Sequence, residues 1–360
     1  MKNKKAIKLA LSLILVLILI ILIAIFFIFK NKEKNNTEDG QLEKVRVQAG
    51  WILNAEFANV CSAIKEGYYE EEGLDVELIP GGPTGASFVI ATNALVQDEN
   101  IDIAIDGDII PLLRGVTNER EEEKIRAKIF SVFWRENPFG FIVRKDSGIN
   151  NFYDLVNNRK NNGSKYKIGI TADSVAQFAI ANHVGVPVED LNLSTVGFDA
   201  SPFLLNQVDA LAAYWTTQAY EVEKAGVDYN FISLGSIPGF SQPSMVAIAR
   251  DETIKERPEM LEKWLRATIK GSEFSINNPE KAAEYVLSDV CGGKILDMDQ
   301  ELWMMKKSVP LFGDSNIGSI NIEQILDFSK AYYDLGQIPS IPSEDDIIDL
   351  SIINKINSKD

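Results

Sequence analysis

The sequence predicts an α/β protein of two lobes with a ligand cleft between them, carried on two hinge segments and preceded by one apolar N-terminal helix. Three observations lead there. Short apolar runs with the period of strands alternate with segments of helical period along most of the chain. The alternation is interrupted midway by a second alternating unit and then resumes, as it does when a chain leaves one lobe and returns to it. About 320 residues rich in Val, Ile, Leu and Phe follow the N-terminal segment, enough to bury two cores rather than one.

Residues 9–29 hold no charged side chain and are long enough to cross a bilayer at ~1.5 Å per residue, with Lys2, Lys4, Lys5 and Lys8 ahead of them. The run ends without a small-x-small cleavage site, and no cysteine lies nearby to accept lipid. It reads as an uncleaved signal anchor, with polar residues 31–41 as a tether and everything beyond held on the extracytoplasmic side of the cell membrane. The division expected is 1–40 for anchor and tether, 41–135 plus 238–360 for a discontinuous first lobe, and 136–237 for the second.

Val45, Val47 and Ala49 alternate as in a half-buried strand, and Gly50 with Trp51 ends it. Phe57, Val60, Cys61, Ile64 and Tyr68 recur at helical spacing, closed off by Gly67 and Gly73. Val76, Leu78 and Ile79 form the next strand, which Gly81-Gly82-Pro83 break before Thr84, read as the cap of another helix. These residues also carry a resemblance. The Trp-bearing loop, the Ala-x-x-x-Gly-Tyr-Tyr helix end and Glu-Glu-Gly-Leu-Asp-Val-Glu-Leu are similar to the opening of solute-binding proteins of the nitrate, sulfonate, taurine and thiamine-pyrimidine-precursor class of ABC importers. The likeness runs from about Val45 to the last predicted helix. It implies a type II periplasmic-binding-protein-like fold that closes on a small-molecule solute and hands it to a membrane permease driven by an ATPase, with no chemistry of its own.

Further along, Ile101, Ile103 and Ile105 alternate up to Asp106-Gly107-Asp108, where a helix begins. Capping alone accounts for Asp108, whereas Asp106 sits nearer the strand's carboxyl end, where a cleft would lie. The charged stretch 117–128 reads as a solvated helix or loop. Arg135-Glu136-Asn137-Pro138 splits two apolar runs where a two-lobed chain would cross to its second lobe. Ile168 to Ile170 is a strand, and Thr171-Ala-Asp-Ser174 opens a helix whose free N–H groups could seat a polar ligand group. Residues 193–198, 202–206 and 208–215 repeat strand, helix and strand, ending at Tyr214-Trp215. Runs at 231–234 and 245–249 read as strands returning to the first lobe. Residues 258–276 form an amphipathic helix with Leu261, Trp264, Leu265, Ile269 and Phe274 on one side, and helices follow at 279–287, 299–309 and 322–335.

Residues 1–40 hold 7 Lys and 3 acids, so the remainder carries 29 basic against 49 acidic side chains. A charge near −20 disfavours nucleic acid and anionic lipid as partners. No metal-ligand cluster or cofactor motif stands out, and the single histidine, His183, reads as structural or surface. Of the two cysteines, Cys61 lies on an apolar helix face and reads as an isolated buried thiol rather than half of a disulfide with Cys291.

Thiamine pyrimidine synthases share the implied fold and opening motif, which sets an enzymatic reading beside the binding one. Where those enzymes use a pyridoxal-phosphate lysine this chain has Asp106, and where they use a reacting histidine it has Ile110. Their cysteine cluster falls on Gly239-Phe-Ser-Gln-Pro243, which has no cysteine, and the histidine of their first loop falls on Phe57. A ligand sensor without transport is a third reading. The cleft candidates are the residues at strand carboxyl ends and helix starts: Trp51, Asn54, Phe57, Gly82, Thr84, Asp106, Trp134, Glu136, Thr171, Asp173, Ser174, Tyr214 and Trp215. They offer aromatic rings and carboxylates and, apart from Arg135, no cation, which favours a planar nitrogen heterocycle such as an aminopyrimidine or flavin over taurine, nitrate or another small oxyanion.

Overall fold

The computed structural model describes residues 42–84, 87–172, 174–293, 295–313 and 316–358. The expected membrane anchor at 9–29 lies outside them, and among the described residues no helix is long and apolar enough to cross a membrane. The strands are β1 (Glu43–Ala49), β2 (Leu74–Ile79), β3 (Gly82–Thr84), β4 (Ser87–Val89), β5 (Ile103–Asp106), β6 (Ala127–Trp134), β7 (Phe139–Arg144), β8 (Ile168–Ile170), β9 (Leu193–Thr195), β10 (Ala210–Tyr214), β11 (Tyr229–Ser233) and β12 (Ser244–Arg250). Two five-stranded sheets form, in the orders β2-β1-β5-β12-β6 and β11-β7-β10-β8-β9. In the first, β1 runs parallel to β5 and β12 antiparallel to both β5 and β6. In the second, β8, β9 and β10 are parallel, with β7 and β11 added antiparallel.

The helices between and after these strands are α1 (Ala58–Lys65), α2 (Tyr68–Glu71), α3 (Ala91–Gln97), α4 (Ile110–Val116), α5 (Phe152–Asn157), α6 (Ala176–Val184), α7 (Ser201–Leu204) and α8 (Gln218–Lys224), then α9 (Asp251–Glu256), α10 (Pro258–Asn277), α11 (Pro279–Val286), α12 (Met298–Ser308), α13 (Ile322–Asp334), α14 (Glu344–Ile347) and α15 (Ser351–Asn357). Helix α10 shows how sequence becomes packing. Pro258 at its first turn costs no hydrogen bond, and the predicted stripe buries Leu261, Trp264 and Leu265 against the first sheet. Gly271 brings α10 so close to α1 that a methyl there would strike the Asn59 carbonyl. The hydroxyls of Thr268, Ser272 and Ser275 donate to carbonyls one turn back within α10, so these polar groups enter the core satisfied.

Several expectations are corrected. Thr84 caps no helix: it ends β3, which pairs with β4 in a hairpin, and α3 starts only at Ala91. The run at 231–234 does not return to the first sheet, because β11 pairs with β7, and β12 alone makes the return. Helix α6 begins at Ala176, after Ser174 has turned back to donate its N–H to the Thr171 carbonyl. Cys61 is not a lone thiol. It is bonded to Cys291 across 230 residues with Cα atoms 6.0 Å apart, because the turn after α11 folds back over α1 and Gly292 packs against the Leu53 carbonyl.

Two segments connect the sheets, 135–138 between β6 and β7 and 234–243 between β11 and β12. They are tied side by side. The Asn137 N–H donates to the Gln242 carbonyl at 2.9 Å, and Asn137 Nδ2 and Ser244 Oγ both donate to the Gly107 carbonyl. All the connections between the sheets therefore pass one narrow bridge.

Candidate functional site

Three loops of the first sheet meet at the strand ends. The Gly50 N–H donates to Ile105 and the Gly81 N–H to Trp51. Glycine is required where they cross: a methyl on Gly50 would lie 2.6 Å from Asp106 Oδ1, and one on Gly81 would strike the Ala49 carbonyl. Gly82, at φ +67°, lies against the Trp51 indole, where a methyl would come within 2.8 Å of Cε3. Trp51 is half-buried, with Phe88 of the β3–β4 hairpin 5.6 Å and Phe198 of the second sheet's side 5.2 Å from its ring.

Beyond Trp51 the chain makes a 3-10 turn over Ala55–Phe57, capped by the Asn54 side chain, which accepts from the Glu56 N–H. Glu301 of α12 accepts from the Ala55 N–H at 2.6 Å and so fixes the turn from below. Glu56 itself is half-buried; burial and then the charge of Glu301 push its carboxyl up from 4.5 to about 8. Burial likewise raises Glu301 to about 7, against the pull of the Ala55 N–H. Across the cleft stands Tyr214 at the end of β10, hydrogen-bonded to Asn137, its hydroxyl 3.8 Å from where a Gly107 methyl would sit. Burial and then the charge of Asp108, with Glu56 and Asp106 also in range, push the Tyr214 phenol well up, so it remains a neutral donor. Asp108 accepts from the Ile110 N–H at 2.8 Å just ahead of α4, and burial raises its carboxyl. The cleft wall thus combines a phenol with carboxyls held toward their protonated forms.

Of the sequence candidates, the structure brings Trp51, Gly82 and Tyr214 to this region. Trp215 follows, half-buried, donating its N–H to the Pro138 carbonyl of the bridge and packing against the first sheet's core. Asn54, Phe57 and Trp134 turn inward: Phe57 and Trp134 are each 1% exposed, and Asn54 spends its side chain on capping. Asp106 is also a structural group. It is buried, and its Oδ2 accepts from both the N–H and the hydroxyl of Thr92, pinning α3 to β5; burial raises it to about 6 while Thr92 pulls it down. Glu136 lies exposed on the bridge, lining a recess with Asn137, Ser233 and Gln242 rather than joining Tyr214. Arg135 hydrogen-bonds the Phe312 carbonyl. Thr171 and Ser174 are half-buried between β8 and α6, Thr84 contributes its backbone to β3, and Asp173 lies outside the described residues. Sequence reasoning missed Glu56, Phe88 and Phe198. Glu56 did leave a signal, as the lone charge within the apolar run Ala55-Glu-Phe-Ala58.

A family model described as NMT1/THI5 like matches residues 54–282, well over half of the chain. The chain belongs to the NMT1/THI5-like family. It is 26% identical over 260 residues to the formylaminopyrimidine-binding protein of Halalkalibacterium halodurans, a match covering 70% of this chain and 72% of that one. It is 20% identical over 245 residues to the 4-amino-5-hydroxymethyl-2-methylpyrimidine phosphate synthase of Legionella pneumophila, covering 67% and 72%. Among solved structures, the periplasmic nitrate-binding protein of Synechocystis superposes with a TM-score of 0.63 at 13% identity, covering 88% of this chain and 86% of that one. The two-lobed α/β fold is that of solved solute-binding proteins of ABC importers. The NMT1/THI5-like family holds both binding proteins and synthases.

Proposed function

We propose that this chain captures a planar nitrogen heterocycle of the vitamin-precursor kind, an aminopyrimidine before a flavin, and delivers it to a membrane permease and its ATPase without transforming it. The lobes in this reading are 41–135 with 238–360, and 136–237, closing about the bridge at 135–138 and 234–243. The extracytoplasmic part would be held by the apolar segment at 9–29. The observation that carries the ligand class is the wall formed by Glu56, Asp108 and Tyr214. Carboxyls there suit the ring nitrogens and amino groups of a pyrimidine, as donor or acceptor according to their protonation. Trp51, half-buried beside the junction of the first sheet's loops, supplies an aromatic surface. The name of the Halalkalibacterium halodurans relative supports the pyrimidine side of this choice. A synthase reading is weaker, since Asp106 stands where such enzymes carry a reacting lysine and its carboxyl is spent on Thr92.

The test is titration of the purified full-length protein with a formylated aminopyrimidine, riboflavin, taurine and nitrate while tryptophan fluorescence is followed. Binding of a heterocycle that Tyr214→Phe weakens at least about tenfold, through loss of a hydrogen bond to a buried partner, is expected. Tight taurine or nitrate binding with no heterocycle response would overturn the assignment.

A further inference from the structure

Away from the bridge, helix α8, which packs on β10 of the second sheet, meets helix α12, which is anchored to the first-sheet side through Glu301 and the Ala55 N–H. The contact is built as a specific one. Glu223 of α8 accepts from Trp303 Nε1 at 2.9 Å through one carboxylate oxygen, and from Tyr229 at 2.9 Å and Lys307 at 3.4 Å through the other. Beside it the Tyr220 and Trp303 rings lie 5.6 Å apart, the Lys307 ammonium sits 5.0 Å over the indole, and Lys224 reaches Asp297 at 3.2 Å. These donors hold the Glu223 carboxyl below its ordinary range although burial opposes them. On a separate rim, Phe198 of the second sheet's side closes against Trp51 and Phe88, with rings 5.2–5.9 Å apart. Phe88 and Phe198 remain 48% and 50% exposed. Their apolar faces are covered in part only because the two sides meet, and would be bare if the sides separated.

The contacts that cross between the two sides, Glu223 with Trp303 and Lys307, Lys224 with Asp297, Tyr220 with Trp303, and Phe198 with Trp51 and Phe88, cannot survive separation of the two sheets about the bridge. We propose that Glu223, Trp303 and Lys307 are positioning residues forming a latch, assisted by the Trp51–Phe88–Phe198 cluster, that holds the cleft shut before any solute is bound. An empty protein that rests closed must open before solute enters, so the latch sets how fast it loads. The reasoning does not depend on what the cleft holds, and it stands or falls separately from the ligand assignment.

The experiment measures the separation of spin labels on Asp228→Cys and Asp289→Cys, one on each side of the cleft, in the ligand-free full-length protein. Both positions are exposed, and the native cysteines are bonded to each other. The expected result is a distribution centred on the closed separation. Glu223→Gln combined with Lys307→Met should shift it, lowering the closed-to-open ratio about tenfold or more, while Lys307→Arg leaves the wild-type distribution in place. Phe198→Ala should act in the same direction through the other rim. Circular dichroism melts confirm that each variant is folded. A wild-type protein that is mostly open without ligand, or latch variants that leave the distribution unmoved, would overturn the proposal.

Discussion

Replacing Glu56 by Gln should stabilise the protein in a strictly pH-dependent way. Glu56 is held in the 3-10 turn next to Glu301, where burial and that neighbour lift its carboxyl from 4.5 to about 8. A carboxyl whose pKa is raised on folding binds its proton more tightly in the folded state. The folded state therefore loses stability as pH climbs from about 4.5, and the full cost is reached above about 8. At about 1.4 kcal/mol per unit the ceiling is some 4–5 kcal/mol. Water reaching the half-buried group, and sharing of the strain with Glu301, reduce this to about 2–3 kcal/mol. Glutamine keeps the shape and cannot ionise. Thermal unfolding followed by circular dichroism should then show no gain at pH 4.5 and a gain of about 4–6 °C at pH 8.5, on the scale of about 2 °C per kcal/mol for a chain of this size. Equal shifts at the two pH values, or none at pH 8.5, would refute the claim that Glu56 ionises in a buried, acidic setting.

Breaking the Cys61–Cys291 bond with a double serine substitution should cost about 3–5 kcal/mol, because the bond closes a loop of 230 residues; denaturant melts with and without reductant check this, and reductant should not affect the serine variant. Asp106→Ala should lower stability by about 1–3 kcal/mol through the unmet Thr92 donors while leaving ligand affinity within about twofold. A large affinity loss with unchanged stability would return Asp106 to the binding site. Trp264→Ala should cost about 3–5 kcal/mol, since the indole is fully buried against Phe130 and Phe133.

Where one face of an element is buried and the other is not, the sequence states the fold legibly. The alternation of Val45, Val47 and Ala49 and the stripe on α10 are of that kind. Phe231, Ile232 and Leu234 are apolar whichever sheet they join, so composition could not show that β11 pairs with β7. The hairpin of β3 and β4 is three residues on each side, too short to have a period. Aromatic residues at strand ends were ambiguous for a physical reason. One side-chain rotation decides whether such a ring turns into the core, as Phe57 and Trp134 do, or lines a loop junction, as Trp51 does. Phe198 owes its placement to partners far along the chain and no local pattern marks it, while Glu56 shows only as a charge set in an apolar run. The cysteine pairing is likewise invisible, because it depends on α11 folding back on α1.

Strand β12 is the last strand among the described residues, yet it lies between β5 and β6 in the interior of the first sheet. Until residues 244–250 have emerged and threaded into that gap, β5 and β6 each present an unpaired edge lined by Ile103, Ile105, Phe130 and Val132. The second sheet, contained within 139–233, needs nothing from later in the chain and can close first. A growing or translocating chain must therefore carry an unfinished, adhesive sheet for more than a hundred residues of synthesis. Its vulnerability to aggregation and proteolysis falls in that interval, which makes the stretch before Ser244 the segment most in need of chaperone cover during biogenesis.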